Sequence, residues 1–180
     1  TIPDSVTDIG YNVFEGCNAD VTIIAPKYSA AHDYAYKNSI NFISNGEVEP
    51  VKYVLSDDGN SYIFEHCAAS YQGEIIIQGV YNGKPVTKIG EGAFRGCTGL
   101  TAVTIPNSVT QIEESAFSGC VKLKSITIPN GVEEIEYSTF SGCTGLTAVT
   151  IPDSVTKIGS GAFRNCTGLT SIIIPNSVTS

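Results

Sequence analysis

The sequence contains no tryptophan and no methionine, only 2 histidines, and 10 lysines and arginines against 18 acidic residues. Each shortage removes a class of function. Neither His32 nor His66 has a carboxylate or a second cysteine at ligand or triad spacing, and zinc sites need closely spaced ligand pairs. Metal and histidine-based catalytic readings therefore have nothing to rest on, and no cofactor is implied. The basic residues are scattered and the net charge is −8, which opposes nucleic acid as a partner, because neutralising phosphates takes clustered Lys and Arg. No apolar run approaches the ~18 to 20 residues of a transmembrane helix. The chain opens on TIPDSVTDIG and closes on IPNSVTS, both parts of one recurring motif, and with no Met it reads as a fragment of a longer protein.

What the sequence has instead is a period. Cys97, Cys120, Cys143 and Cys166 recur at every twenty-third position, and Phe94, Phe117, Phe140 and Phe163, then Ile105, Ile128, Ile151 and Ile174, then Pro106, Pro129, Pro152 and Pro175 keep the same step. Four residue types in one register specify a solenoid, in which each unit buries its apolar face only against its neighbours. Within a unit, Leu100, Val103 and Ile105 form a Leu-x-x-Leu-x-Leu pattern whose last part alternates, so residues 101 to 105 read as a strand. Pro106 ends it by removing a donor and presetting a turn. Val109 and Ile112 belong to a second, shorter extended segment, and Ala116, Phe117 and Cys120 fit one helical turn. Gly96, Gly119 and Gly142 follow that turn, and Asn165 replaces them in the last copy, an exchange expected at a left-handed residue.

The expected fold is thus a leucine-rich-repeat type solenoid, mostly β with short helices: one parallel strand per coil, a short second strand and a helical turn. Coils lie about 4.8 Å apart, and each Phe and each Cys stacks on its counterpart. An in-register stack keeps side chains parallel and does not bring Cβ atoms to disulfide geometry, so the ladder cysteines read as reduced, buried, small apolar residues. Cys17 has the same phase in an earlier copy, and Cys67 is the odd one out.

Four segments follow. Residues 1–43 read as a last repeat (Ile2, Pro3, Val6, Ile9, Phe14, Gly16, Cys17) and a C-terminal cap of an upstream array, with a short helix over 28–38 carrying Tyr28, Ala31, Tyr34, Ala35 and Asn38 on one stripe. Residues 44–50 (SNGEVEP) read as a linker. Residues 51–85 read as a β-hairpin N-terminal cap, with strands Lys52 to Ser56 and Ser61 to Cys67 around an Asp58-Gly59 turn and a third strand from Glu74 to Gln78. Residues 86–180 are four repeats. The run IPxSVTxIGxxAFxxCxxLTxVTIP resembles the BspA-like leucine-rich repeat family of bacterial surface proteins and some protists. Residues 74–105 look like the way such arrays begin and residues 26–43 like the way they end. The resemblance implies a secreted or cell-surface, non-enzymatic adhesin or binding scaffold, and it carries no set of functional residues.

Candidate sites are therefore surfaces. The outward strand positions line up as Ala102, Ser125, Ala148 and Ser171 in one row and Thr104, Thr127, Thr150 and Ile173 in the next, flanked by Thr101, Lys124, Thr147 and Thr170. Thr and Ser there satisfy β propensity; they also make a flat face for a protein ligand, or for a glycan, although no Trp, Tyr or Phe sits on it. Tyrosines gather in the two caps and offer a rival contact surface. Asp57, Asp58 and Asn60 lack the alternating acids and later Glu of a calcium loop and read as a hairpin turn. The pairs Glu113 with Glu114 and Glu133 with Glu134 read as a solvated face with room for a weak cation site. The phase shared by Ile174 to Thr179 and Ile2 to Thr7 leads to one more expectation: head-to-tail self-association, residues 1–43 of one molecule docking at the open end (169–180) of another.

Overall fold

In a computed structural model of the chain, the described residues are 2, 6, 9, 10, 13, 14, 22–25, 31, 34, 41–44 and 51–179. The chain forms two compact units, Thr1–Glu49 and Pro50–Ser180. In the first unit, strands β1 (Thr22–Ala25) and β2 (Asn41–Ser44) pair in parallel. Ala31 and Tyr34 are helical and buried beside Ile23, with Ile2, Ile9 and Phe14 packed on them. Phe14 meets Tyr34 edge to face at 5.7 Å. Of the linker expected over 44–50, Ser44 is the last residue of β2; residues 45–50, with Cys17, Tyr28, Ala35 and Asn38, lie outside the described residues.

The second unit is a β-solenoid. Its hairpin, β3 (Val51–Leu55) and β4 (Tyr62–Cys67), precedes β5 (Gln72–Ile76) and a small hairpin of β6 (Val80–Tyr81) and β7 (Lys84–Ile89). The coils then supply a first strand, β8 (Gly99–Thr104), β10 (Ser125–Thr127) and β12 (Ala148–Thr150), and a shorter second strand, β9 (Gln111–Ile112), β11 (Glu134–Ile135) and β13 (Lys157–Ile158). All pairings between coils are parallel, β5 with β8, β10 with β12, β7 with β9 and β11 with β13. The hairpin joins the second-strand side, where β4 lies parallel to β7.

The core is a column of identical side chains. The rings of Phe64, Phe94, Phe117, Phe140 and Phe163 stack nearly parallel at centroid spacings of 4.7, 4.8, 5.4 and 5.4 Å. Phe64 and Cys67 are the unexpected members. They reproduce the Phe-x-x-Cys of the repeats, so the hairpin is a coil in disguise, and Cys67 belongs to the ladder instead of standing apart: it is buried, its N–H donates to Ala93 O at 2.7 Å, and the Cys97 thiol reaches its carbonyl at 3.4 Å. Farther along, the thiols of Cys120, Cys143 and Cys166 donate to Phe94, Phe117 and Phe140 O at 3.1, 3.0 and 3.0 Å. The cysteine therefore serves both as a small apolar group and as a weak donor to the coil behind it. Cys67, Cys97, Cys120, Cys143 and Cys166 are free thiols.

The segment expected to be a helical turn is a run of tight turns instead, because its amides alternate between two partners. Ala116, Ser118 and Cys120 N–H donate to the third residue back in their own coil, while Ser115, Phe117 and Gly119 N–H donate to Tyr137, Thr139 and Ser141 O of the next coil at 2.8 to 3.0 Å. An α-helix would spend all of these donors internally and leave this edge of the coils joined by side chains alone. Left-handed residues bracket the run. Gly96, Gly119, Gly142 and Asn165 have φ of 72°, 76°, 74° and 58°, as the Gly-to-Asn exchange implies; a second set, Gly92, Ser115, Ser138 and Gly161 at 60°, 55°, 54° and 68°, escapes the sequence because two of its four members are serine.

Two stability measurements follow. Phe117→Ala, which opens the middle of the ring column, is expected to cost about 3–5 kcal/mol in urea unfolding. Ser138→Gly removes a side chain from a left-handed backbone and breaks no side-chain hydrogen bond among the described residues, so it is expected to gain about 0.5–1 kcal/mol.

Candidate functional site

The parallel register brings the outward strand residues into rows. Ser125 lies opposite Ala148 and Thr127 opposite Thr150. Thr104, Ser125, Thr127, Ala148, Thr150 and Ser171 are exposed and Ala102 is half-buried. Among the described residues, none of the hydroxyls of Thr104, Thr127 and Thr150 is bonded within the protein, whereas Thr147, beside the rows, donates to Lys124 O at 3.0 Å. Residues 171–174 continue the rows by phase but are not in a strand. The rows reach one strand further than the repeats indicate: Glu74 lies opposite Ala102 and Ile76 opposite Thr104. Both ends of the threonine row are apolar, Ile76 being 76% and Ile173 86% exposed. The signal for the added strand is the EIIIQ run, which repeats SIIIP of the last copy.

The second-strand side differs in chemistry. A groove of about 660 Å³ runs along the successive second-strand segments β7, β9, β11 and β13, between Lys88, Gln111, Glu113, Gly131, Glu134 and Lys157. Lys88 Nζ pairs with Glu113 Oε1 at 2.8 Å, and Lys157 pairs with Glu134 one coil back. Two of the four glutamates that the sequence groups in pairs are thus matched by lysines from neighbouring coils. Glu136, which shares the groove, forms no such pair among the described residues; burial first, then the nearby Glu134 charge, lifts its carboxyl above the usual carboxylate range. Among the described residues no three His, Cys, Asp or Glu side chains converge as metal ligands.

The cap tyrosines close the hairpin end. Tyr53 packs edge-on against Phe64 at 5.3 Å and stacks on Tyr81 at 4.4 Å, and Tyr81 meets Tyr62 at 4.9 Å. Their hydroxyls seal backbone groups: Gln78 N–H donates to Tyr53 Oη at 3.1 Å, and Tyr71 Oη donates to Glu74 O at 2.7 Å. The Asp57 to Asn60 segment is a hairpin turn in which the Asp58 carboxylate accepts from Ser56 Oγ at 2.6 Å and from Asn60 N–H at 2.9 Å. The Ser56 hydroxyl first, then the Asn60 groups, hold that carboxyl below its usual range.

In the cysteine column, hydrogen bonding to the neighbouring thiol, then burial, holds Cys67 and Cys120 above the ordinary thiol range, the same hydrogen bonds hold their partners Cys97 and Cys143 below it, and burial pushes Cys166 up to about 11; all five thiols are buried. Most of residues 1–43, on which head-to-tail association depends, lie outside the described residues.

A titration tests the acidic side. The raised folded pKa of Glu136 means that the native state holds its proton more tightly than the unfolded chain, so ionisation subtracts stability as pH rises above the ordinary glutamate range. Glu136→Gln is expected to raise the urea midpoint relative to the parent at neutral pH, and the difference is expected to vanish below that range.

The BspA type Leucine rich repeat region matches residues 1–70 and 60–180, in 6 copies. A leucine rich repeat protein of T. pallidum is similar over 74% of the chain at 31% identity, with a TM-score of 0.68. A leucine rich cell surface protein of Faecalibacterium prausnitzii is similar over 96% at 31% identity (TM-score 0.60), and a leucine-rich repeat protein of Bacteroides ovatus over 75% at 30% identity (TM-score 0.61). The chain spans 62%, 52% and 36% of the lengths of these three proteins. No functionally curated protein matches it. The matched repeats and the parallel coils have one meaning: the chain belongs to the BspA-type leucine-rich repeat family.

Proposed function

We propose that the chain is a non-enzymatic scaffold of an extracellular bacterial surface protein, and that it holds a protein partner, of host or microbial origin, on its first-strand face. One observation carries this reading. In a chain of net charge −8, the two rows carry one charged residue, Glu74 at the end beside Ala102, and none from Ala102 to Ser171 or from Thr104 to Ile173, and the interiors of protein interfaces are depleted of charge in the same way. Small side chains keep the face flat, threonine hydroxyls supply donors and acceptors, and the exposed Ile76 and Ile173 give apolar contacts at its two ends. Repeat proteins use extended surfaces of this kind to bind partners. A sugar ligand is less well served, because no aromatic ring lies in the rows. The family and the cell-surface relative support the extracellular placement.

The test is a screen of the chain against matrix proteins, bacterial surface proteins and glycans, repeated with Thr127→Arg and Thr150→Arg. Both substitutions are solvent-exposed and are expected to leave the unfolding midpoint in place while weakening partner binding at least tenfold, about 1.4 kcal/mol. Binding that survives both substitutions would move the contact to another surface, and no binding by the parent would leave a spacer that holds other segments apart.

A further inference from the structure

The turn that follows each first strand is built the same way in every coil, with one exception. Val109, Val132, Val155 and Val178 N–H close the turns on Pro106, Pro129, Pro152 and Pro175 O at 3.0 to 3.2 Å. The two residues between are Asn107-Ser108, Asn130-Gly131, Asp153-Ser154 and Asn176-Ser177. Where serine is present it is tied to an earlier carbonyl: Ser108 Oγ to Gly79 O at 3.2 Å, Ser154 Oγ to Val132 O at 2.7 Å and Ser177 Oγ to Val155 O at 2.7 Å. Gly131 has no such tether. Asn130 and Gly131 are exposed. Among the described residues the Asn130 carboxamide makes no bond, and the Gly131 N–H is not donated to any backbone carbonyl.

We propose that Asn130 is a site of spontaneous covalent modification, in which the Gly131 backbone nitrogen attacks the Asn130 side-chain carbonyl carbon. A bond forms between that nitrogen and Cγ, the bond from Cγ to Nδ2 breaks, and ammonia leaves with the amide proton. The cyclic imide is then opened by water at either carbonyl, to aspartate or to isoaspartate. Glycine permits the attack because it has no side chain to obstruct it, and the missing tether lets the turn rotate. The starting geometry is also favourable. Neither Asn130 nor Gly131 has a positive φ. The turn is therefore type I, with the asparagine ψ at about −30°, and ring closure needs that angle to swing further negative.

The second described Asn-Gly pair makes the contrast. Asn82 and Gly83 have φ of 47° and 77°. That is the mirror-image turn of a tight hairpin, with the asparagine ψ at about +30°. From there the rotation to ring closure is longer, and the hairpin pairing of Tyr81 with Lys84 opposes it. Asn130 therefore reacts ahead of Asn82.

The two products differ in consequence. Aspartate already occupies the equivalent place at Asp153, so that branch preserves the turn and adds a carboxylate beside the groove that Gly131 lines. Isoaspartate inserts a methylene into the main chain between Pro129 and Val132, lengthening a turn whose closing bond positions the buried Val132.

The experiment incubates the folded protein in warm, mildly alkaline buffer and maps peptides by mass, with isoaspartyl methyltransferase labelling to separate the products. The peptide holding Asn130 is expected to gain the amide-to-acid mass several-fold faster than those holding Asn82, Asn107 and Asn176. Gly131→Ser is expected to slow it to the rate of Asn107. A serine Cβ at position 131 would stand 3.1 Å from Thr110 Cγ2 and 3.4 Å from Val109 O, the carbonyl equivalent to Val155 O, which Ser177 Oγ reaches, so the variant restores the tether after a small shift of the Thr110 side chain. Conversion of Asn130 no faster than Asn107, conversion of Asn82 first, or an unchanged rate in Gly131→Ser would each overturn the proposal.

Discussion

Everything in the solenoid depends on the coils being joined by their backbones as well as by their side chains. Every second amide of the turn run is donated to the following coil, and the phenylalanine rings directly beneath repeat at the same spacing. The two are mutually dependent. Ring stacking fixes the distance at which those amides find their carbonyls, and the amides hold the rings parallel. Neither could be satisfied in an isolated coil, which is why a single repeat has no stability of its own. Cysteine fits this arrangement where alanine or serine would serve less well, being small enough for the column and still able to donate to the phenylalanine carbonyl of the coil before.

The periodic part of this was legible in the sequence. Equal spacing of Phe, Cys, Ile and Pro implied stacking, and the exchange of Gly142 for Asn165 implied a left-handed backbone there. The features that escaped are those whose register breaks or whose residue type misleads. Phe64 and Cys67 precede Phe94 and Cys97 by more than one repeat length, because the chain between them also forms β5 and the β6 and β7 hairpin. A count in equal steps passes over them. Ser115 and Ser138 concealed a second left-handed position because serine is not its usual occupant. The turn run was read as helical because Ala, Phe and Cys at helical spacing look alike in either form, and only the partners of the amides separate the two. As for the surface, the two outward rows could be written down from phase alone, but their extension to Glu74 and Ile76 needed the pairing of β5 with β8.

The two sides of the solenoid also divide the chain's chemistry. On the first-strand side the outward rows from Ala102 to Ile173 are small and uncharged, with Glu74 at one end and Lys124 on the flank, and most glutamates of the coils collect on the second-strand side, partly matched by lysines from neighbouring coils. Fewer charges would have to be desolvated on the outward rows than in the groove. The tyrosines of the hairpin, which suggested a contact surface, occupy themselves with sealing the end of the column.

The turn run has a sense of direction. At each junction its amides point toward the later coil and its accepting carbonyls toward the earlier one, so the individual peptide dipoles add along that edge as they do in an α-helix. Each further coil lengthens this column of aligned dipoles. A leucine-rich array of this design thus carries an electrically polar edge, with the positive pole at its C-terminal end, and the polarity comes from the backbone alone, whatever side chains decorate the outside.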